Sequence, residues 1–322
     1  MGVLVNGKWR TEQLRSNEKG AFRRVETVFR DRVTADGSSG FEAAPGRYHL
    51  YVSLACPWAH RTLIFRQLKR LGDAVSLSVV DHFMGDDGWA FTDNPGSIPD
   101  SVNGASLLRE IYVKARPDYT GRVSVPVLWD KQSQTIVNNE SSEIIRMFNR
   151  AFDAFGDAAR DFYPEDLRDE IDAVNAVVYE HVNNGVYKCG FATRQAPYDE
   201  AFAALFDTLD TLEDKLSRQR YLCGARLTEA DWRLFTTLVR FDTVYHGHFK
   251  CNLRRLADYP NLWGYTRELY QLPGVAATCN LDHIKRHYYA SHETLNPARI
   301  VPRGPAIDFT KPHDRDGFPK VE

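Results

Sequence analysis

The chain lacks several features that define other classes of protein. Its 322 residues contain no apolar run near the roughly 18 residues that span a bilayer, and its first residues lack the apolar stretch of a signal peptide. Lys and Arg number 41 against 43 Asp and Glu, so neither sign of charge favours a nucleic-acid or anionic-membrane partner. The five cysteines are odd in number and widely spaced, which fits a reducing compartment better than a disulfide scaffold. We therefore expect a cytoplasmic protein with no nucleic-acid or membrane partner.

One of the five cysteines stands where chemistry is expected. Cys56 follows a β-rich run, residues 48–53, and precedes Pro57, which favours the first position of a helix. The amides at a helix start favour a thiolate and can lower a cysteine pKa from about 8.5 to roughly 3.5–7.5. A thioredoxin-type motif would place a second cysteine three residues on, but the chain has Ala59, so the pattern predicts exchange with an external thiol. The alternative is that Cys56 is only a small buried hydrophobic residue.

The first half of the chain predicts a mixed α/β domain. Residues 1–46 have few periodic apolar positions and predict an arm, whereas residues 47–155 predict a β-α-β unit followed by two more strands. The helix of this unit is expected to run from Pro57 to Leu71, with Gly72 as its C-cap. Residues 82–121 form a long inserted loop in which Trp89 either anchors the loop or lines a ligand site, and the sequence alone favours the anchor. A helix opens near Ser141, which would cap it, bind a carboxylate, or do both.

The second half of the chain predicts only helices. Residues 160–290 are expected to form a helical domain, and residues 291–322 an extended, proline-containing tail. Thr228 and Asp231 have the spacing of a capping box at a helix start. Periodic apolar positions predict the helices, whose expected ranges are 164–183, 198–219, 261–271 and 281–290.

Taken together, these motifs resemble the glutathione transferases, and most closely their omega-like branch and the glutathionyl-hydroquinone reductases, or Xi class. The matching motifs run along most of the chain: Cys56-Pro57-Trp58-Ala59, Gly88-Trp89, Val123 to Asp130, Asn139-Glu140-Ser141-Ser142, Asn183 to Lys188, His248 to Asn252, Asn296-Pro297 and Ile300-Val301-Pro302. The resemblance implies a thioredoxin-like N-terminal domain followed by an all-helical glutathione transferase C-terminal domain. It also implies a homodimer, with glutathione as the co-substrate and no metal.

The resemblance assigns roles to residues of this chain. Cys56 would be the nucleophile, and Val125, before a cis-proline at 126, would pair through its backbone with the cysteinyl unit of glutathione. Glu140 would take the ammonium of the γ-glutamyl group and Ser141 its carboxylate, while Trp89 and Arg122 would close over the tripeptide. The tyrosines that would serve the hydroquinone are Tyr187, Tyr288 and Tyr289, with Tyr179 and His181 as weaker candidates. Of these, Tyr187 and Tyr288 are the catalytic candidates, and the choice between Tyr288 and Tyr289 stays open.

Other interpretations of the same residues are an omega-like thiol transferase or dehydroascorbate reductase, and a non-catalytic interaction module in which Cys56 is structural. A metal site at His246, His248 and Cys251 has tolerable local spacing but no partner cluster elsewhere in the sequence. His60 and Arg61, one turn into the helix after Cys56, receive no assigned role. His60 either supports the thiolate or only packs.

Overall fold

The computed structural model describes residues 2–11 and 17–319. The chain divides into two compact units, each built from separate stretches of sequence. The sheet unit comprises Met1–Leu14, Val25–Arg160 and Ala277–His292, and the helical unit comprises Arg15–Arg24, Asp161–Ala276 and Glu293–Glu322. The expected arm and tail include residues 1, 12–16 and 320–322, which lie outside the described residues.

The elements are numbered in chain order. The strands are β1 (Gly2–Val5), β2 (Lys8–Thr11), β3 (Val33–Thr34), β4 (Phe41–Glu42), β5 (Tyr48–Val52), β6 (Val75–Val79), β7 (Met84–Gly85), β8 (Gly88–Trp89), β9 (Gly121–Arg122), β10 (Val127–Asp130) and β11 (Thr135–Asn138). The helices are α1 (Pro57–Leu68), α2 (Leu108–Ala115), α3 (Ser141–Arg150), α4 (Arg168–Val177), α5 (Gly185–Gly190), α6 (Gln195–Leu216), α7 (Glu229–Arg240), α8 (His246–His248), α9 (Pro260–Gln271) and α10 (Leu281–Ser291).

A four-stranded mixed sheet forms the core of the sheet unit, in the order β11-β10-β5-β6. Strands β5 and β6 are parallel and are joined through α1, whereas β10 is antiparallel to both β5 and β11. Leu50 of β5 lies between Leu128 of β10 and Leu77 of β6. Every residue of β5 is buried, as expected for a central strand, and the predicted β-α-β unit is confirmed.

Helix α1 ends earlier than the sequence predicts, and the expectation of Gly72 as its C-cap is wrong. Arg70 adopts a left-handed conformation with φ 55°, and the amide of Leu71 donates to the carbonyl of Arg66 at 2.8 Å. This is a Schellman-type end with a non-glycine residue at the left-handed position. Lys69 is fully buried there, because its ammonium donates to Asp153 at 2.9 Å and to the carbonyl of Arg160 at 2.6 Å.

Two stretches in which the sequence predicts no strand contain strands. In the expected arm, β1 and β2 form a hairpin, and β1 also pairs with β9. In the inserted loop, β7 and β8 form a second hairpin that pairs Met84 with Trp89. The hairpins meet at Gly88, whose φ is 81° and whose missing Cβ would lie 3.0 Å from the ring of Trp9. The arm therefore supports the inserted loop from one side.

The helical unit contains α4 to α9, and two of its helices continue as π-helical segments, Val178–Asn183 after α4 and Phe241–Tyr245 after α7. The predicted capping box is confirmed at the start of α7, where Thr228 and Asp231 bond to each other's backbone. The predicted helix 164–183 is interrupted, because a 3-10 turn precedes α4 and the π segment follows it.

The last helix, α10, belongs to a different unit from the one the sequence predicts. The sequence assigns residues up to 290 to the helical domain, but α10 belongs to the sheet unit. Its side chains explain the difference, since His283 bonds the carbonyl of Pro95 and His287 bonds the carbonyl of His82. Both carbonyls lie in the inserted loop, which the sequence shows as separated from α10 by almost the whole helical domain.

Candidate active site

Cys56 caps the N-terminus of α1, as the sequence predicts. Its backbone is extended, with φ −75° and ψ 122°, and Pro57 occupies the first turn. The amide of Cys56 donates to the carbonyl of Ser53 at 3.2 Å, and its own carbonyl accepts from His60 at 3.0 Å. The side chain is half-buried, and its Sγ lies 3.7 Å from the carbonyl oxygen of Val125. The thiol therefore sits at the positive end of a helix, the environment that favours a thiolate.

The peptide bond between Val125 and Pro126 is cis, as predicted. Val125 is buried, and the preceding residue is held by Tyr112, whose hydroxyl donates to the carbonyl of Ser124 at 2.8 Å. Burial raises the pKa of the Tyr112 hydroxyl, so it stays protonated and can donate. The backbone at Val125 is thus fixed beside the Cys56 sulfur.

At the start of α3 the N-cap is Glu140, not Ser141, so the expectation that Ser141 caps the helix is wrong by one residue. The carboxylate of Glu140 accepts from the amide of Ser142 at 3.0 Å and from its hydroxyl at 2.9 Å. The reason lies in the previous residues, because the Asn138 side chain accepts from the amide of Glu140 at 2.7 Å and sets the turn one residue earlier. Ser141 is then the first helical residue and is buried.

Arg61 contacts this helix start, which the sequence alone does not predict. The guanidinium is buried, lies 4.5 Å from the centre of the Trp58 ring, and reaches the Ser141 hydroxyl at 3.5 Å. Helix amides, a hydroxyl and a guanidinium favour a carboxylate, while the Glu140 carboxylate favours an ammonium. The only available sequence signal was the position of Arg61, one turn after the cysteine.

His60 is fully buried inside α1. Its Nε2 lies 2.8 Å from the Thr278 hydroxyl and 3.7 Å from the sulfur of Cys279, both just before α10. These contacts tie α1 to the stretch leading into α10. Packing accounts for them, and they assign His60 no part in chemistry.

Trp89 and Arg122 occupy short strands of the sheet unit. Trp89 is buried and stacks on His287 of α10, with ring centres 4.8 Å apart and planes 24° apart. Arg122 is half-buried, pairs with Val3 in β1, and accepts a bond from the Tyr119 hydroxyl at 2.9 Å through its carbonyl. The Trp89 side chain therefore anchors the inserted loop to α10, which is the role that the sequence alone favours for it. The Arg122 backbone is held in β9.

The neighbouring tyrosines of α10 differ in environment. Tyr288 is buried, with its ring edge-on to His287 and His292 at 5.3 and 5.4 Å. Tyr289 is half-buried, and burial raises the pKa of its hydroxyl. The Tyr289 hydroxyl is therefore protonated and can donate near neutral pH.

In the helical unit, Tyr187 lies on α5 directly after a π segment and is half-buried. The guanidinium of Arg24 lies 4.9 Å from the centre of its ring and bonds Asn184 at 2.8 Å. Aromatic rings surround Tyr187, contributed by Phe22, Phe191, Tyr245 and Phe249. Tyr179, by contrast, is 37% exposed on the π segment itself.

Comparison with known proteins identifies the family. Residues 55–151 match the N-terminal domain of the glutathione S-transferases, and residues 195–268 match their C-terminal domain. The glutathionyl-hydroquinone reductase YqjG of Escherichia coli is 53% identical over 98% of this chain and 99% of its own length. The chain belongs to the glutathionyl-hydroquinone reductases, the Xi class of glutathione transferases. The predicted fold class, a thioredoxin-like domain followed by a helical transferase domain, is confirmed.

Other members of the family match equally closely. The glutathionyl-hydroquinone reductase PcpF of Sphingobium chlorophenolicum is 54% identical over 95% of this chain and 97% of its own. A solved Xi-class transferase from Natrialba magadii is 53% identical, with a TM-score of 0.94 over 100% of this chain and 98% of that one. YqjG has been solved with glutathione bound, and that structure covers 98% of this chain and 99% of its own with a TM-score of 0.91. The chain is therefore an enzyme of the glutathione transferase superfamily.

The structure of this family member shows no metal centre in its described part. Within residues 2–11 and 17–319, no three histidine, cysteine, aspartate or glutamate side chains are grouped to hold a metal ion. His248, considered above as a ligand, is buried, and burial lowers its pKa to about 4. Among the same residues, none of the helices combines the length and apolar character needed to span a membrane.

Proposed function

We propose that the protein reduces glutathionyl-hydroquinones to hydroquinones at the expense of glutathione, through a mixed disulfide between Cys56 and glutathione. The observation that carries the proposal is the half-buried Cys56 thiol at the start of α1, with Ala59 in place of a second cysteine. Two relatives that match nearly the whole chain are named for this reaction. A single thiol at a helix start suits exchange with an external thiol, because no local disulfide can form.

Glutathione would bind along the edge of the site formed by Cys56, Val125 and the start of α3. The carboxylate of its γ-glutamyl group would meet the Ser141 hydroxyl and the α3 amides, with Arg61 adding positive charge. Glu140 would hold the ammonium, although it also accepts two bonds from Ser142. Val125 would pair with the cysteinyl unit, which brings the glutathione sulfur to Cys56. Trp89 and Arg122 would cover the tripeptide.

The reaction needs help at the carbon–sulfur bond, because an aryl carbanion is a poor leaving group. Tyrosine hydroxyls that hydrogen-bond the phenolic oxygens would favour the keto tautomer, whose sulfur-bearing ring carbon already carries the proton. The Cys56 thiolate then attacks the glutathione sulfur, and the carbon–sulfur electron pair returns to the ring as the hydroquinone forms. We assign this tyrosine role to Tyr187 and Tyr288, with Tyr289 and Tyr179 as further contacts to the hydroquinone.

A second glutathione completes the cycle. Its thiolate attacks the glutathione sulfur of the mixed disulfide, releases Cys56 as a thiolate and leaves as glutathione disulfide. The net reaction converts one glutathionyl-hydroquinone and one glutathione into one hydroquinone and one glutathione disulfide. Such a cycle is ping-pong and needs one protein thiol.

We also propose that the enzyme is a cytoplasmic homodimer. None of the five cysteines is joined in a disulfide, which supports a reducing compartment where glutathione is available. The dimer is the assembly implied by the family resemblance. Sedimentation or light scattering of the purified protein measures it directly, and a monomer at micromolar concentration contradicts it.

The experiment is turnover of a glutathionyl-hydroquinone with excess glutathione, following hydroquinone and glutathione disulfide together. Cys56→Ser should abolish both products, whereas Cys279→Ser, which removes another half-buried thiol of the sheet unit, should keep them. Wild-type protein that releases no hydroquinone but reduces mixed disulfides is instead an omega-like thiol transferase. Protein inactive in both assays is a non-catalytic module.

A further inference from the structure

Three side chains on one face of α10 hold the inserted loop. His283, His287 and Ser291 are spaced four residues apart, so they lie in one stripe along the helix. Each bonds the backbone of the loop: His283 Nε2 lies 2.7 Å from the carbonyl of Pro95, His287 Nδ1 lies 2.9 Å from the carbonyl of His82, and the amide of Met84 donates to Ser291 Oγ at 3.0 Å. The stripe therefore fixes the loop on both sides of the β7–β8 hairpin.

The middle residue of the stripe also touches Trp89. The imidazole of His287 stacks on the indole, with ring centres 4.8 Å apart and planes 24° apart. Because the carbonyl of His82 can only accept, Nδ1 of His287 must carry the proton, and this bond fixes the rotation of the imidazole. Trp89 and His287 are 7% and 6% exposed, so the stack is almost fully buried. A leucine here would fill the volume without orienting the indole.

We propose that His287 is a positioning residue that holds the Trp89 indole in the orientation needed to cover bound glutathione. This inference rests on the proposed function, in which Trp89 closes over the tripeptide. The hairpin supports the same role, because Trp9 on its other side contacts Gly88 and donates through Nε1 to the carbonyl of Asp86 at 2.8 Å. The hairpin that carries Trp89 is thus held by Trp9 of the arm and by α10, and His287 stacks on the Trp89 ring itself.

The test measures binding of S-methylglutathione, whose thioether cannot exchange with Cys56, by calorimetry on the full-length enzyme. His287→Ala should raise the dissociation constant roughly three- to tenfold, the effect of losing one aromatic pair. His287→Phe keeps a ring against Trp89 and should recover most of the affinity, whereas His287→Asn keeps only the donor and should not. His49→Ala removes another buried histidine of the sheet unit, one bonded to Ser76 and Ser78, and should leave the dissociation constant unchanged.

A double-variant cycle separates positioning from general destabilisation. If His287 acts through Trp89, His287→Ala adds no further loss in the Trp89→Ala background. An equal loss in both backgrounds overturns the inference, as does an effect of His49→Ala as large as that of His287→Ala. Trp89→Ala that leaves binding unchanged contradicts the role of Trp89 in the proposed function. If Trp89→Ala weakens binding and His287→Ala does not, only the positioning role of His287 is overturned.

Discussion

Replacing Asp231 by alanine should cost the helical unit more stability than any exposed substitution. The buried carboxylate accepts from the amide of Leu222 at 2.9 Å, from the hydroxyl of Tyr265 at 2.8 Å, and from the amide and hydroxyl of Thr228 at 2.8 and 3.0 Å. Each buried donor left without a partner costs about 1–3 kcal/mol. Even at the lower limit these bonds predict a loss of about 4 kcal/mol, close to the whole stability of many domains, which begins near 5 kcal/mol.

The chain contains its own control for this prediction. Asp258 follows Arg255 at the same three-residue spacing, and its carboxylate accepts from the Arg255 amide at 3.0 Å but lies at the surface. Asp258→Ala should cost less than about 1 kcal/mol, because water replaces the lost bonds. Urea unfolding followed by circular dichroism at the helix band measures both variants. Equal losses in the two variants would show that burial does not set the cost of removing the carboxylate.

Three further predictions concern acid stability, the tail and catalysis. Burial lowers the pKa of His49 to about 4, so the folded state binds fewer protons than the unfolded state, whose histidine titrates near 6.5. The neutral His49 side chain makes its full contribution to the free energy of unfolding above about pH 6.5, and this contribution falls by about 2 kcal/mol by about pH 5. The urea midpoint of His49→Asn should therefore drop less than that of wild type over this interval. Arg315 is buried and donates to the carbonyls of Leu216, Gln219 and Arg220 at 3.2, 2.8 and 2.7 Å; Arg315→Ala should therefore cost about 3 kcal/mol in thermal unfolding, and a value near that of the exposed Arg218→Ala would contradict this. Tyr288→Phe should lower kcat for hydroquinone release by on the order of 100-fold while leaving the affinity for S-methylglutathione unchanged, and an unchanged kcat would remove Tyr288 from the mechanism.

The sequence predicts those parts of the fold that depend on local signals. Pro57 marks the start of α1 and so places Cys56 at its N-cap, and the alternating run after Gly72 predicts β6. Thr228 and Asp231 predict the start of α7. Each signal needs only neighbouring residues, because caps and strand alternation act within a few positions.

The sequence does not reveal those parts of the fold that depend on distant contacts. The end of α1 is set by Lys69, whose partners Asp153 and Arg160 lie more than eighty residues further along the chain. The N-cap of α3 is Glu140 instead of the predicted Ser141, because the Asn138 side chain bonds the Glu140 amide and sets the turn. In the same way α10 groups with the sheet unit through contacts to the loop around residues 82–95, which no periodicity records.

The residues of the candidate site fall into the same two groups, those that local motifs predict and those that only distant contacts reveal. Cys56 and the cis bond before Pro126 follow from motifs, and the structure places the Cys56 sulfur beside the Val125 carbonyl. Arg61 and His287 could not be found this way, because each is recognised only by the side chain it touches, Ser141 for one and Trp89 for the other. The sequence showed an arginine and a histidine on helices, where most such residues are ordinary surface or packing positions.

The Cys56–glutathione mixed disulfide is tested most directly by mixing the enzyme with an equimolar glutathionyl-hydroquinone in the absence of free glutathione and recording the intact mass of the protein. If the mixed disulfide forms, the released hydroquinone matches the protein carrying one added glutathionyl group, non-reducing peptide mapping places the group on Cys56, and added glutathione removes it. Hydroquinone released without modification of Cys56, or released equally by Cys56→Ser, would rule out a Cys56–glutathione mixed disulfide as the intermediate.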